Sequence, residues 1–254
     1  MLFTDTAIST VADLAAYESE VREVATITGL DLEVKLRLAQ TEVGIELLAA
    51  GVPGMTPSGA APPFRLEQVV VSDALRLWHV FHTLSIVYRD AYNRKVNDKY
   101  LLKANEYRAL AKWAANLFFN IGVGLVFRPL AMPAVPAVGE VAGGTLPETQ
   151  YFVRVAWSDG RGGESTPSAP LSCAVPAGCL LSVSIVGQAA PEFATGWFPY
   201  AGTTADSEQR QVSEALPLSS VWVEPASGLA AGPGVADGQQ PDCFRQIARV
   251  MQRG

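Results

Sequence analysis

Hydrophobic and polar residues alternate with the period of an α-helix through the first 122 residues. The first predicted helix has an apolar row at three- and four-residue spacing, formed by Leu14, Tyr17, Val21 and Val24. This helix is expected to end near Gly29, and Asp31 can cap a second one, since its carboxylate accepts hydrogen bonds from free backbone N–H groups. The second predicted helix has its own apolar row, formed by Val34, Leu38, Ile45 and Leu48.

A loop rich in Gly, Pro and Ala at 51–64 precedes two longer helices. The third helix has two adjacent apolar rows, Val70, Ala74, Leu77, Phe81, Leu84 and Tyr88 beside Val71, Leu75, Trp78 and His82. An apolar surface of this width predicts burial against more than one neighbour. After a turn near Asn97-Asp98, the fourth helix has a single row, formed by Tyr107, Leu110, Ala114, Leu117 and Ile121. Four helices with mostly short connections predict a small bundle over residues 1–128.

After Gly122 the pattern changes to short alternating segments separated by turns. Residues 129–148 are rich in Pro, Gly and Ala and predict a linker that runs into a first strand. The segment 151–158 (YFVRVAWS) alternates between two faces, and the glycines of 159–166 (DGRGGEST) predict a turn. Further strands are expected in the segments CLLSVSIVG, TGWFPYAGTT, QRQVSEALP and SSVWVEP. Several short strands with regular turns predict a β-sandwich over residues 129–228.

The last segment, residues 229–254, differs from both halves. Its first part is rich in Gly, Ala and Pro, which predicts an extended tail. Residues 243–251 (CFRQIARVM) would place Phe244, Ile247, Val250 and Met251 on one side of a short basic helix. A helix this short is marginal alone, so we expect the tail to dock on another surface.

Composition and charge narrow the class of protein. Hydrophobic residues make up 49% of the chain and charged residues 17%, which favours packed cores over disorder. No apolar run reaches the roughly 18 residues that span a bilayer, and the N-terminus lacks the pattern of a secretory signal. The net charge is −6 and no lysine follows Lys112, which disfavours a nucleic-acid-binding surface. We therefore expect a soluble protein made in a cytoplasm, with no membrane segment.

The sequence contains none of the common catalytic or phosphate-binding motifs. His79 and His82 have the i, i+3 spacing of a metal chelate, but no third ligand is nearby in sequence, so packing or interface roles are favoured. Glu18, Glu20 and Glu23 are expected on a solvated helix face rather than in a catalytic carboxylate pair. We expect no enzyme activity, no metal and no cofactor.

Three further groups of residues leave alternatives open. The odd number of cysteines favours reduced thiols, although a hairpin could bring Cys173 and Cys179 together. The basic residues between Arg89 and Lys112 alternate with acidic ones, which favours a solvated or ion-paired surface over a phosphate-binding patch. Aromatic residues of the second half favour a sandwich core over a carbohydrate-binding groove, and these are Tyr151, Trp157, Trp197, Phe198, Tyr200 and Trp222.

Two stretches resemble known families. Residues 73–126, which span the third and fourth helices, resemble the helical core of tailed-bacteriophage head-to-tail adaptor (connector) proteins. The segments YFVRVAWSDGRGGESTPSAPLS, ATGWFPYAGTT and VWVEP are similar to the fibronectin-III/immunoglobulin-like modules that decorate phage structural proteins. Such modules often show a Y-x-V-R-V strand, a G-G-E-S turn and a G-x-x-x-Y-x-G-T-T segment. The sandwich departs from the minimal adaptor, which is helical only.

The adaptor resemblance implies a ring-forming neck protein of the virion, assembled in the host cytoplasm. Such rings, usually of twelve copies, sit beneath the portal, bind the tail or nozzle below, and let DNA pass without specific binding. Their C-terminal segment commonly docks on the portal, which makes the candidate contacts Phe244, Arg245, Ile247, Arg249 and Met251. The alternative is an Ig-like module that decorates the virion surface or recognises host glycans.

The expected architecture is therefore α+β as separate modules. An N-terminal all-α helical bundle is followed by a C-terminal Ig/fibronectin-III-like β-sandwich and an extended C-terminal docking tail at 229–254.

Overall fold

The computed structural model of the protein describes residues 1–51 and 64–247. Its N-terminal half contains five α-helices, α1 (Val11–Tyr17), α2 (Val21–Thr28), α3 (Leu32–Gly51), α4 (Asp73–Lys95) and α5 (Asp98–Ile121). Nine strands follow, namely β1 (Val123–Leu125), β2 (Ala137–Ala142), β3 (Thr149–Ser158), β4 (Leu171–Val175), β5 (Cys179–Ser184), β6 (Gly196–Gly202), β7 (Gln209–Arg210), β8 (Val221–Val223) and β9 (Cys243–Arg245). The predicted order of a helical half before a β-sheet half is confirmed. Residues 52–63 of the predicted loop lie outside the described residues.

The chain divides into two compact units that do not follow sequence order. The β unit consists of Met1–Asp5 and Phe127–Gln240, and the helical unit consists of Thr6–Val126 together with the segment from Pro241 onward. The first five residues therefore belong to the β unit although the helical unit follows them in sequence. The segment from Pro241 belongs to the helical unit although the β unit precedes it. The sequence-based boundaries at 128 and 228 divide the chain into consecutive pieces and do not anticipate this exchange.

The first predicted helix is two helices, α1 and α2, so the prediction of four helices is wrong by one. Thr10 caps α1 in a reciprocal capping box with Asp13, and the helix stops where Glu18 adopts an extended backbone. Gly29 ends α2 in the left-handed conformation, with a φ of 66°. Glycine suits this C-cap because it has no Cβ to clash there.

Helix α3 buries the face opposite to the predicted one. Asp31 caps it as expected, since its Oδ1 accepts from the backbone nitrogens of Glu33 and Val34. The buried row, however, is formed by Leu32, Leu36, Ala39, Val43 and Leu47. The predicted row is exposed, and it consists of Val34, Leu38, Ile45 and Leu48. Both rows have helical spacing, so periodicity alone cannot decide which one faces the unit's core.

Helices α4 and α5 form the centre of the helical unit. Ser72 caps α4 and Asn97 caps α5, each through a side-chain oxygen that accepts a backbone N–H. Thirteen residues of α4 are buried, because α1, α2, α3 and α5 all contact it. Trp78 packs against Phe118 and Phe119 of α5. The predicted wide apolar surface of this helix is confirmed.

A small sheet completes the helical unit. Strand β1 pairs antiparallel with β9, and Val69 bridges to Leu125 on β1. Gly124 leaves room for Pro241, because a Cβ there would lie 3.1 Å from the proline ring. The expected short helix at 243–251 is therefore wrong for 243–245, which form a strand. The helix was predicted from the spacing of four apolar residues only, and so short a pattern does not distinguish a helix from a strand.

The β unit contains two antiparallel sheets that share one core. One has the strand order β2-β5-β8 and the other β4-β3-β6-β7. On β3 the buried face is formed by Tyr151, Val153, Val155 and Trp157, which pack with Leu181 and Val183 of the other sheet. The predicted turn at 159–166 is confirmed, since Asp159 Oδ1 accepts from the nitrogens of Arg161 and Gly163, both at 2.8 Å. Strand β4 was not predicted, and the segment QRQVSEALP forms a strand only at β7.

Asp5 anchors the N-terminal residues in the β unit. Its Oδ2 accepts from the Leu2 nitrogen at 2.8 Å and from the Thr166 hydroxyl at 2.7 Å. Its Oδ1 accepts from the Met132 nitrogen at 2.9 Å. One carboxylate thus joins the first residues to two distant segments of the same unit.

We expect Asp5→Ala to lower the free energy of unfolding of the β unit by about 2 kcal/mol, because three donors lose a charged acceptor. Hydrogen exchange at the amides of β3 measures this loss. Asp237→Ala is the matched control, since only its backbone carbonyl contacts the N-terminal nitrogen. Equal protection of β3 in the two variants would contradict the anchoring role.

Candidate functional site

The exposed apolar row of α3 is the first candidate interaction surface. The row is formed by Val34, Leu38, Ile45 and Leu48, and its two ends are fourteen positions apart, which is about 21 Å along the helix. Ile45 is 62% exposed, and the other three are each exposed by more than a third. Single exposed apolar residues are ordinary, but four on one helix face, interrupted only by the turn at Thr41, favour a contact surface.

Helix α5 carries two exposed apolar side chains on one face. Leu102 is 70% exposed and Trp113 is 53% exposed. They lie eleven residues apart, which is about three helical turns, so they share a face. The opposite face of α5 packs on α4 through Ala104, Tyr107, Ala111 and Ala114. The helical unit thus exposes apolar side chains in two different arrangements, on two helices that both contact α4.

A basic cleft of 310 Å³ lies between α4 and α5, next to Glu46 of α3. Trp78 and Ile86 line it together with Arg89, Arg108 and Lys112. Other residues of the predicted basic stretch make structural contacts. Arg94 donates to the carbonyls of Thr28 and Gly29. The expected mixture of solvated and paired basic residues therefore describes only part of this stretch.

The two histidines have different surroundings. His79 is fully buried, with Nδ1 2.6 Å from the Ser9 hydroxyl and Nε2 3.0 Å from the Leu36 carbonyl oxygen. Burial lowers the pKa of His79 to about 4, despite the opposing bond to Leu36. His82 is only partly buried, and its Nε2 lies 2.7 Å from Glu42 Oε2. Within the described residues, no group of three potential ligands could hold a metal ion.

Glu18 is buried, which contradicts the prediction of a solvated glutamate. Its side chain is 6% exposed, and Oε2 lies 2.6 Å from Lys103 Nζ and 2.7 Å from the Tyr107 hydroxyl. Burial alone would raise the pKa of Glu18, but the bonds from Lys103 and Tyr107 outweigh it and lower the pKa. Glu20 and Glu23 are exposed as expected. The break between α1 and α2 turns Glu18 inward, and helix periodicity gave no sign of that break.

The C-terminal candidate contacts lie on the helical unit. The Phe244 ring is exposed, whereas the Arg245 guanidinium lies 5.9 Å from the ring centre of Phe64. Ile247 is half-buried. Arg249 and Met251 lie outside the described residues, so the structure does not test their proposed role.

The motif residues that suggested an Ig-like module meet on one face of the four-stranded sheet. Arg154 of β3 is the register partner of Tyr200 of β6. The Tyr200 hydroxyl donates to Glu164 of the G-G-E-S turn. Arg210 of β7 lies 3.6 Å from the same carboxylate. Tyr200 and Arg210 therefore hold Glu164 of the turn against the sheet, which is a structural role.

The aromatic residues of the second half form core rather than a binding groove. All six of those considered for carbohydrate binding are buried, including Trp157, Trp197 and Trp222. The expectation of a core shared by the two sheets is confirmed for Tyr151, Trp157, Trp197 and Trp222. Phe198 and Tyr200 lie in a separate buried cluster with Ala156. The three cysteines are free thiols, with Cys173 on β4 and Cys179 on β5. Burial raises the pKa of the Cys173 thiol.

None of the helices in the described part of the chain is long and apolar enough to cross a membrane. Comparison with known proteins gives no match to a family model, to a curated protein or to a solved structure.

Proposed function

We propose that this protein is a structural subunit of a phage virion, a head-to-tail adaptor that forms a homo-oligomeric ring between the portal and the tail. The observation that carries the proposal is the pair of unlike apolar surfaces on α3 and α5. When one surface of a subunit binds the other surface of the next, the contact is heterologous, and such contacts generate rings if the rotation closes. A dodecamer is the stoichiometry we propose by resemblance.

The charge distribution supports a passive channel for DNA in the virion neck. The chain is acidic overall, and its second half contains no lysine. DNA-binding surfaces concentrate lysine and arginine to neutralise phosphates. The basic cleft beside α3 contains only three cations, which is few for a grip on duplex DNA.

The C-terminal segment remains our candidate for portal docking. Phe244 presents an exposed ring next to Arg245, and the segment continues beyond β9. Ile247, Arg249 and Met251 belong to the same proposed contact. The tail or nozzle protein would bind elsewhere on the ring.

An Ig/fibronectin-III-like sandwich is the classification we propose for the β unit. The pairs β3–β6, β6–β7 and β2–β5 correspond to the C–F, F–G and B–E pairs of the Ig arrangement, and β4 corresponds to C′. Trp157 on β3 corresponds to the buried tryptophan of strand C. The departures are that β8 lies beside β5, where strand D would lie, and that β2 has one neighbour among the described strands.

Glycan recognition by the β unit was suggested by its aromatic residues. Their rings are buried, so this suggestion has no support in the structure. An accessory role of the β unit within the ring is compatible with the adaptor proposal.

We expect the purified protein to assemble into a ring whose mass is a multiple of 27.0 kDa by native mass spectrometry. Ile45→Glu on α3 and Trp113→Glu on α5 should each give monomers, because each places a charge in an apolar contact. Val186→Glu in the β unit replaces an equally exposed apolar residue and should leave the ring intact.

Mixing the two variants tests the heterologous contact directly. Each variant keeps the surface that the other lacks, so the mixture should form dimers that cannot close into rings. Dimers formed by Trp113→Glu alone would indicate an α3–α3 contact and contradict the proposed geometry.

A wild-type monomer that fails to bind the portal protein of the same genome would contradict the adaptor function itself. Deletion of residues 248–254 leaves β9 in place and tests the portal contact separately.

A further inference from the structure

The β unit contains a cavity of 510 Å³. It lies among the first residues of β3, the last residues of β6, Gln209 of β7 and the segment 228–231. Much of its wall is aliphatic or small, formed by Leu146, Pro147, Ala201, Leu229, Ala230 and Ala231. A cavity of this size and lining accommodates a small ligand or one side chain of a partner.

Glu224 is the one acidic or basic residue among the described residues that line this cavity. The residue is only 2% exposed. Its Oε1 accepts from the Tyr151 hydroxyl at 2.9 Å, and its Oε2 accepts from the Leu181 nitrogen at 3.2 Å. Both donors are neutral, and no lysine or arginine of the described chain forms an ion pair with it.

Each carboxylate oxygen of Glu224 accepts one hydrogen bond, and neither donor carries a charge. A carboxylate offers about four acceptor positions, so about two remain on Glu224. Buried charges in proteins are normally paired with an opposite charge. The cavity therefore favours a ligand that brings a positive charge and N–H donors.

Several polar side chains beside the cavity already form hydrogen bonds with backbone groups of its wall. The Gln211 amide donates to the Gln209 and Ala230 carbonyls and accepts from the Ala230 nitrogen. Gln209 Oε1 accepts from the Gly232 nitrogen, and the Thr149 hydroxyl donates to the Pro147 carbonyl. A sugar, which needs several free partners, finds few of them here.

We propose that this cavity binds a primary alkylammonium group, supplied by a lysine side chain of a partner protein or by a free aliphatic amine. The ammonium donates to the remaining positions of Glu224, and the methylene chain lies against aliphatic residues such as Leu146 and Leu229. The site is independent of the proposed ring contact, which involves the helical unit.

Titration with n-butylammonium, followed by NMR shifts of residues 146–151 and 228–231, tests the site. We expect saturable binding, and affinity at least about tenfold lower for n-butanol and for Glu224→Gln, because a charged hydrogen bond is lost. Glu192→Gln removes an exposed carboxylate of the same unit and should bind like the wild type. Ala231→Trp narrows the cavity without altering the carboxylate and should also weaken binding.

Equal binding of n-butanol, or unchanged affinity in Ala231→Trp, would overturn the proposal. Absence of saturable shifts in the folded wild-type protein would do the same. Two further titrations distinguish the sources of the amine. Tighter binding of Nα-acetyl-lysine methylamide supports a partner protein, and tighter binding of putrescine supports a free amine.

Discussion

Replacing Glu18 with alanine is expected to lower the free energy of unfolding of the helical unit by about 2 kcal/mol, because a buried hydroxyl group loses its charged acceptor. The Glu18 carboxylate joins the α1–α2 junction to Lys103 and Tyr107 of α5. Its removal leaves the Tyr107 hydroxyl, which is buried, without this acceptor. Urea unfolding followed by circular dichroism of the helices measures the loss.

Two matched variants separate this effect from an ordinary surface change. Glu23→Ala removes an exposed glutamate of α2 and should cost less than about 0.5 kcal/mol. Lys103→Ala should cost more than Glu23→Ala, because it leaves the buried Glu18 carboxylate without its positively charged partner. Since the pKa of Glu18 is lowered from 4.5, its stabilisation is present above that pH and is lost as the pH falls through the folded-state value. Equal losses in the Glu18 and Glu23 variants would contradict the buried network.

Acidification is expected to destabilise the helical unit through His79 in a higher pH window. Unfolded His79 takes up a proton near pH 6.5, whereas the folded residue stays neutral until about pH 4. A lowered pKa means that the stability is complete above pH 6.5 and is lost as the pH falls towards 4. The loss should reach about 2 kcal/mol by pH 5 and about 3 kcal/mol in full.

Urea unfolding at pH 7.5 and at pH 5 measures this loss. His79→Gln should lose most of the difference between the two pH values, whereas His82→Gln should keep it. NMR signals of the His79 ring provide a second measurement that needs no variant. They should not titrate between pH 7.5 and pH 5, and a midpoint near 6.5 would contradict the buried neutral ring.

The helices and the order of the two halves could be predicted because they depend on local patterns. Helix α4 has two adjacent apolar rows, so its periodicity indicates a wide buried side. The single row predicted for α5 is only partly right, because Ile121 is exposed whereas Phe118 and Phe119 are buried. Helix α3 has two apolar rows, and its neighbours select between them. Local patterns cannot make that choice, and the exposed row, which carries our proposed function, was assigned to the core.

The remaining errors have a common cause in long-range pairing. Glu18 is buried by partners eighty-five and eighty-nine positions away, and β9 forms only because β1 is available to pair with it. The cavity around Glu224 also joins segments distant in sequence. A pattern read over about ten residues contains no information on such partners, whereas the motif segments around Glu164 could be noticed because each is itself local.

Because each unit combines segments that are distant in sequence, neither unit can be completed until its last segment has left the ribosome. Strand β1 emerges long before β9, so the edge of β1 that will pair with β9 stays unpaired until residue 245 has been made. The first five residues likewise wait for Met132 and Thr166 to emerge. Neither unit can close early, and a prematurely terminated chain lacks part of the helical unit. A chain that ends before β9 therefore keeps the residues of the proposed α3 and α5 contacts but leaves β1 without its partner strand.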